Sequence, residues 1–540
     1  MNKVMNKRIL SIILVVVMMS SVFITGCKKK ETRAENTLRI GINQNANVTS
    51  FDDNAFTNWL EETTGAQLEF VYFSSSESEA IQQLALTVSA GQEMPDVILG
   101  FHRMSHYVVN QYGEDGYFMD LTDLIEKHGT NYKAALEKLP AEDREYLEKK
   151  AVNTNTGGIY AMPISLCPAI DDMPSLMYIN QDWLNKLGLK APTNIDELRD
   201  VLYAFKTKDP NGNGKADEIP MLGGSLGHGN DVLAYMLNAF VYFSDNNNYN
   251  VTDGKVWDPV VSDEFRQGLI YINKLVKDGL VSDMCFTTSS ASEFKALNSP
   301  TDGVEKVGIF CGYPDSYMNP ESDSASSYVA LGSLADATGK GGYTVVNPSP
   351  VYWSNYITKD CVNPELAMKL LDTLYTDESI MRARHGQKDV DWTYGEGTSA
   401  YGTKAYVNIV NGNAYFSGNS TWCKNPAGIM TQENYIAVEV TGEGTRAEFS
   451  RMQKESWNIM ANAKQPEELA TRLLYTQEEY AIREEYKSTV EGYYREQVNL
   501  FAAGQLDPSS DTEWNDFKSQ LYEIGRDKLL KVAQDAYNRK

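Results

Sequence analysis

Leu38-Arg39-Ile40-Gly41-Ile42-Asn43 alternates apolar residues with polar or small ones, the period of a strand with one buried face. Outward from it, Asn54 to Thr64 has the pattern of a helix stopped by Gly65, and Gln67 to Phe73 that of a second strand. Ser76 to Ala90 comes next as a helix ended by Gly91, and Ser76 with Glu79 three residues on has capping-box spacing. Met94-Pro95-Asp96-Val97-Ile98-Leu99 reads as a third, buried strand. Strands separated by helical stretches imply parallel pairing and a doubly wound α/β domain. Ligands of such sheets bind beyond the carboxyl ends of the strands, which makes Asn43 to Asn47 and Gly100 to Arg103 candidate ligand loops.

Toward the amino terminus, Lys3, Lys7 and Arg8 precede the apolar run Ile9 to Ile24, closed by Thr25-Gly26-Cys27. A charged start, a short apolar stretch and a small-residue cleavage site read as a secretory signal. Ile24-Thr25-Gly26-Cys27 also resembles the bacterial lipoprotein box, in which the cysteine is lipidated and becomes the mature N-terminus. Residues 1–26 are then the signal peptide and 27–36, with Lys28, Lys29 and Lys30, a polar tether. The body is expected on the outer face of the cell membrane, held there by lipid alone.

The chain beyond the signal is too long for one hydrophobic core and sufficient for two or three domains. Losing Lys3, Lys7 and Arg8 makes the formal charge of −24 more negative still. Such acidity argues against nucleic acid and against peripheral binding to anionic lipid. Of the six cysteines, Cys167, Cys285, Cys311, Cys361 and Cys423 remain after Cys27, widely and irregularly spaced. They suggest no zinc site and no disulfide framework. His102 and His106 stand four apart, compatible with one helix face, and without a carboxylate partner they read as packing or solvated residues. A second α/β segment begins near Tyr160 and runs through Tyr178 to Phe205, Val307 to Phe310 is a later buried strand, and the last 75 residues are helical in pattern.

The sharpest local signal is Asp209-Pro210-Asn211-Gly212-Asn213-Gly214-Lys215-Ala216-Asp217-Glu218-Ile219-Pro220. Oxygen-bearing side chains fall at positions one, three, five and nine, with glycine at six, as in an EF-hand calcium loop. Lys215 offers its backbone carbonyl. Position twelve is Pro220 where an EF-hand has a bidentate glutamate, and Asp217 with Glu218 supplies the missing charge. The plain alternative is a metal-free turn rich in Asn, Asp and Gly.

Asn180-Gln181-Asp182-Trp183-Leu184, Leu187-Gly188-Leu189 and Pro192-Thr193, leading to Ala204-Phe205 and the Asp209 loop, resemble the solute-binding proteins of ABC importers. The likeness is to family 1, with the alginate-oligosaccharide-binding proteins and related Gram-positive lipoproteins. Met94-Pro95-Asp96, Gly158-Ile159-Tyr160-Ala161-Met162-Pro163, Asp253-Gly254-Lys255-Val256 and Gln534 to Arg539 also fit. The resemblance implies a two-lobed, hinged α/β fold with a helical C-terminal region, closing on its ligand. It also implies a structural calcium ion on Asp209, Asn211, Asn213, Lys215, Asp217 and Glu218. We place the lobes at 37–162 with 354–400 and at 163–350 with 401–540. The crossings fall near 162–165, 346–353 and 398–406.

The function expected is capture of an oligosaccharide and its delivery to a membrane permease, by a monomer without catalysis. Tyr160, matching a cleft tyrosine of the family, heads the candidate ligand contacts. Trp353, Trp392, Tyr313, Trp422, Phe101 and His102 come after it, chosen because sugar rings stack on aromatics and 11% of the chain is aromatic. A secreted polysaccharide-degrading enzyme is the rival, and a binding protein for peptide or another solute shares the fold. No motif nominates a pair of catalytic carboxylates, and no stretch is read as a nucleophile elbow.

Overall fold

The computed structural model describes residues 33–165, 175–226, 229–245, 249–287, 291–300, 302–319, 322–345, 351–399, 403–410, 418–423, 428–436, 438–439, 445–462 and 464–540. Cys27 and Cys167 lie outside them. The opening alternation builds a five-stranded sheet in the order β2-β1-β3-β11-β4. Strand β1 (Thr37–Asn43) pairs in parallel with β2 (Gln67–Phe73) from Thr37↔Gln67 to Asn43↔Phe73, and with β3 (Val97–Leu99) through Ile40↔Val97. Helix Ala55–Thr64 starts because the Asn54 side chain accepts the Phe56 N–H, and stops at Gly65, whose φ of 80° suits only glycine readily. The expected capping box at Ser76 does not form: Ser76 makes no side-chain cap bond, and Glu79 instead accepts the Ser74 hydroxyl at 2.7 Å. The third strand is shorter than its apolar run, since the Met94 N–H is taken by the Asp360 carboxylate.

The chain leaves this sheet through β4 (Met162–Ile164) and returns through β11 (Tyr352–Ile357), antiparallel to both β4 and β3. Between them lies a second sheet, ordered β10-β5-β9-β6. Its members are β5 (Met177–Asn180), β6 (Ile219–Leu222), β9 (Val307–Cys311) and β10 (Tyr328–Ala330). Strands β7 (Asn250–Thr252) and β8 (Lys255–Trp257) form a hairpin across Asp253-Gly254, and β12 (Trp392–Thr398), β13 (Lys404–Ile409) and β14 (Val438–Glu439) make a small third sheet.

Two separate large cores result. One gathers Leu38, Ile98, Leu371, Trp392 and Trp422, the other Trp183, Phe205, Ile272, Phe501 and Trp514. The C-terminal helices Gln477–Ala502, Asp511–Glu523 and Arg526–Tyr537 complete the second core, where Arg526 and Asp258 pair out of water at 2.6 Å. Two of the lobe limits need correction. Pro163 and Ile164 pair within the first sheet, and Val407, Trp422, Ile429 and Met430 are buried in the first core. Tyr435 packs on that core too and β14 pairs with β13, so the chain passes finally into the second lobe after Glu439, not at 398–406. Among the described residues no helix is long and apolar enough to cross a membrane.

Candidate functional site

The strand directions bring a defined set of loops to one edge of each sheet. In the first lobe these are residues 44–51 after β1, Ser74 and Ser75 after β2, Gly100 to His102 after β3, and the start of β11 at Tyr352 and Trp353. The end of β4 lies there too, where Ser165 donates its N–H to Gly428 and accepts that of Met430 at 3.1 and 2.9 Å. In the second lobe, Ser175, Gly223, Gly224, Asn230, Asp231 and Tyr313 converge. The Gly224 N–H bonds the Asn230 carbonyl at 2.7 Å, and the Leu176 N–H bonds that of Gly229 at 3.1 Å.

At the hinge, Trp353 is nearly buried, yet its indole N–H meets no acceptor, and neither does the Asn355 side-chain N–H₂. A buried donor without a partner carries the full desolvation penalty of about 1–3 kcal/mol. The His106 ring lies 5.0 Å from that of Trp353 and 5.6 Å from that of Tyr480, so it bridges the hinge strand to a second-lobe helix. His102 packs 5.4 Å from Tyr352, and its Nε2 has no partner. It lies in the loop before helix His106–Glu114, so the two histidines do not share a helix face. Burial pushes His102 down to about 4, and burial together with the Lys150 charge takes His106 down to about 3. Both rings are neutral at neutral pH.

Across the cleft, Asp231 is wholly buried. Its Oδ1 accepts the Ala234 N–H at 2.9 Å and caps helix Val232–Leu237, while Oδ2 has no partner. Burial raises this carboxyl to about 7, and the Asp245 charge adds to the effect. Sequence reasoning missed it, because Asp ahead of an apolar run signals only a helix start.

Four of the seven expected ligand contacts are packing residues. Trp392 donates its indole N–H to the Gly386 carbonyl at 2.9 Å from inside the first core. Trp422 donates to the Thr57 hydroxyl at 2.9 Å, ringed by Phe51, Phe56 and Phe70. Phe101 is fully buried edge-on to Phe73. Tyr160 bonds Thr156 through its hydroxyl at 2.8 Å, with its ring filling the space a Cβ on Gly113 would occupy. Trp353, His102 and Tyr313 stay at the edges. A further correction concerns Gly223-Gly224-Ser225-Leu226-Gly227, which does fit the G-x-S-x-G spacing. Ser225, however, donates its hydroxyl to the Asn499 side-chain carbonyl, and among the described residues no imidazole is bonded to it.

The Asp209 loop turns back on itself, with positive φ at Asp209 (46°), Gly212 (73°) and Gly214 (76°). Asp209 accepts the N–H groups of Asn213 and Gly214 at 3.1 and 3.0 Å. Asp217 accepts the amides of Asn211 and Asn213 at 3.2 and 3.0 Å, and Lys306 approaches its other oxygen to 3.4 Å. Glu218 Oε1 is buried with no partner, and burial and the charges of Asp209 and Asp217 raise its carboxyl. Among the described residues no three His, Cys, Asp or Glu side chains form a metal cluster. The loop's donors are mixed amide and carboxylate oxygens, the set a hard cation takes, and the orphaned Glu218 oxygen fits one.

Two α/β lobes whose loop-bearing edges are joined by passages at 164–165 and 352–353 define a hinged, two-lobed binding protein. The chain belongs to the bacterial extracellular solute-binding protein family, whose pattern matches residues 44–381. It is 27% identical over 491 residues to the fructooligosaccharide ABC transporter substrate-binding protein FusA of Streptococcus pneumoniae serotype 4, covering 89% of this chain and 86% of that one. It is 25% identical over 397 residues to lipoprotein LipO of Bacillus subtilis, covering 70% and 73%. The fold is similar to that of FusA in complex with kestose, with a TM-score of 0.74, 22% identity and coverage of 93% and 99%. An EF-hand mutant of FusA superposes equally well, with a TM-score of 0.74. Alginate-binding AlgQ2 without calcium ion matches with a TM-score of 0.68, 22% identity and coverage of 93% and 98%.

Proposed function

We propose that this protein is the substrate-binding component of an ABC importer, capturing an oligosaccharide between its lobes and passing it to the permease without chemical change. The observation that carries this reading is the pair of unpartnered polar atoms at the ligand edges of the two lobes, Trp353 Nε1 and Asp231 Oδ2. Sugar hydroxyls donate and accept, and suit both. The fructooligosaccharide-binding relative supports the substrate class, and LipO supports attachment through a lipidated Cys27 to the outer face of the membrane.

Asp209, Asn211, Asn213, Asp217, Glu218 and the Lys215 carbonyl would hold a calcium ion. The bound ion would neutralise the loop's carboxylates and tie it to the second lobe, in keeping with the EF-hand of the FusA relative. Calorimetric titration with an oligosaccharide panel, followed by chromatography of the same mixtures, tests the role. Micromolar binding with intact sugar is expected. Cleavage products would establish the rival enzyme, and a panel without any binder would overturn carbohydrate capture.

A further inference from the structure

We infer that the groove at the C-terminal ends of β1 and β2 is a subsite for an uncharged sugar unit, stacked on Tyr72. The inference rests on the proposed oligosaccharide capture and adds to it a position and a charge class. The groove encloses about 460 Å³ and is lined by Gln44, Asn45, Thr49, Ser50, Tyr72 and Ser75 among others. That volume falls within the roughly 300–1,000 Å³ of small-molecule sites.

Tyr72 is 43% exposed at the end of an edge strand, unusual for a ring so well supported. Behind it lie Phe51, with centroids 6.0 Å apart, and Phe70, stacked at 6.2 Å, and both rest on buried Trp422. The Tyr72 hydroxyl donates to Asp52 Oδ2 at 2.8 Å, fixing the ring's rotation. A rigid, half-exposed aromatic with its polar tip already bonded offers a face to the C–H side of a pyranose or furanose at little entropic cost. Around it stand hydrogen-bonding groups suited to hydroxyls. Asn45 Oδ1 accepts the Asn47 N–H at 2.9 Å, which leaves the Asn45 amide N–H₂ for a ligand. Nearby, Asn43 donates to the Ser74 carbonyl at 3.1 Å while its buried Oδ1 has no partner.

The charge class comes from the groups that surround the groove. None of its lining residues is Lys, Arg or His, the Asp52 carboxylate adjoins it through the Tyr72 hydroxyl, and the exposed Arg103 is paired with Glu77. Helix Ala55–Thr64 begins with bonded N–H groups, and helix Glu77–Ser89, which has no side-chain cap, begins with acidic residues. The Phe56 N–H is bonded by Asn54 and the Ala55 N–H by the Asn419 carbonyl, and helix Glu77–Ser89 carries Glu77 and Glu79 in its first turn. A uronate bound here would meet the Asp52 carboxylate and, among the lining residues, no guanidinium, the group that pairs best with carboxylates. A neutral unit meets amides, hydroxyls and an acceptor carboxylate.

The test titrates wild type, Tyr72→Ala and Tyr72→Phe with a neutral ladder (kestose, nystose and longer fructooligosaccharides) and a ladder of oligogalacturonates, by calorimetry. The neutral ladder is expected to bind and the uronates to bind at least tenfold more weakly, a difference of about 1.4 kcal/mol. Tyr72→Ala is expected to lose about tenfold on the longest neutral member, with an unchanged melting temperature, and Tyr72→Phe to keep most of the affinity. Equal affinities of Tyr72→Ala and wild type across the ladder overturn the subsite and leave oligosaccharide capture standing. Uronates binding as tightly as neutral sugars overturn the charge class. Failure of both ladders with wild type overturns the subsite together with the function it rests on.

Discussion

Asp96 in the first lobe and Asp231 in the second are both wholly buried, and the two are treated in opposite ways. In the first lobe both oxygens of Asp96 are taken. They receive the N–H groups of Arg39 at 2.7 Å and Val362 at 3.0 Å, and the Arg33 guanidinium. In the second lobe Asp231 has one bonded oxygen and one bare. Asp96 lies beside the start of β1, away from the ligand edge, and ties three segments together. Asp231 lies on the ligand edge. The contrast separates a carboxylate bonded through both oxygens from one that caps a helix with a single oxygen and whose other oxygen we propose a ligand hydroxyl meets.

The largest effect expected from this comparison is that of Asp96→Ala. It strands two backbone N–H donors and the Arg33 guanidinium, whose partner carboxylate is fully buried, and is expected to remove about 3–5 kcal/mol of stability in a denaturant titration. A loss below about 1 kcal/mol would mean that Asp96 is no clamp. Next is a second deprived carboxylate, Glu218. If an ion satisfies it, chelation lowers the melting temperature by the linkage of bound to free ion, about 2.7 kcal/mol at a hundredfold excess over Kd. Asp209→Ala is expected to melt alike with and without chelator.

Asp231→Asn comes third and turns on pH. The unfolded carboxyl titrates near its ordinary 3.8 and the folded one near 7. Between these values the folded chain holds a proton that the unfolded chain has lost, so stability falls as pH rises from about 4 to 7. The Asn variant lacks this fall and is expected to outlast wild type by on the order of 1–3 kcal/mol at pH 8. Parallel pH profiles for the two proteins would erase the contrast with Asp96. The smallest effect is on the acid side. Neutral His102, at about 4 against an ordinary 6.5, favours the fold above pH 6.5 and loses that contribution as pH falls toward 4. His102→Gln is expected to flatten that limb, measured by melting temperature between pH 4 and 7.

Strand β2 and the helix before it are legible in the sequence because period and punctuation agree there: β2 spans Gln67–Phe73 as read, and Gly65 stops the helix as read. The Asp209 turn is legible for the same local reason, with Gly214 at a φ of 76°. Ligand aromatics are not, because a tryptophan in a turn-rich segment looks the same whether it faces a cleft or, like Trp422, fills a core between three phenylalanines. Tyr72 reads as one more residue of a strand, although an aromatic at the end of an alternating run is where the ligand edge begins. The third crossing lies beyond local reading, since Val407 and Ile429 return to the first core only through tertiary pairing, which no sequence pattern announces.

The Arg33–Asp96 clamp also sets the length of the leash. If, as we propose, Cys27 carries the acyl anchor, the six residues from there to Arg33 span at most about 20 Å. The clamp grips near the start of β1, and the ligand loops leave from the end of that same seven-residue strand, about 23 Å further on. An anchor on Cys27 would thus moor the protein by one pole while its mouth opens at the other. Bringing the mouth to a permease in the same membrane would then require the body to roll over on its mooring, because so short a line would prevent it from swinging clear.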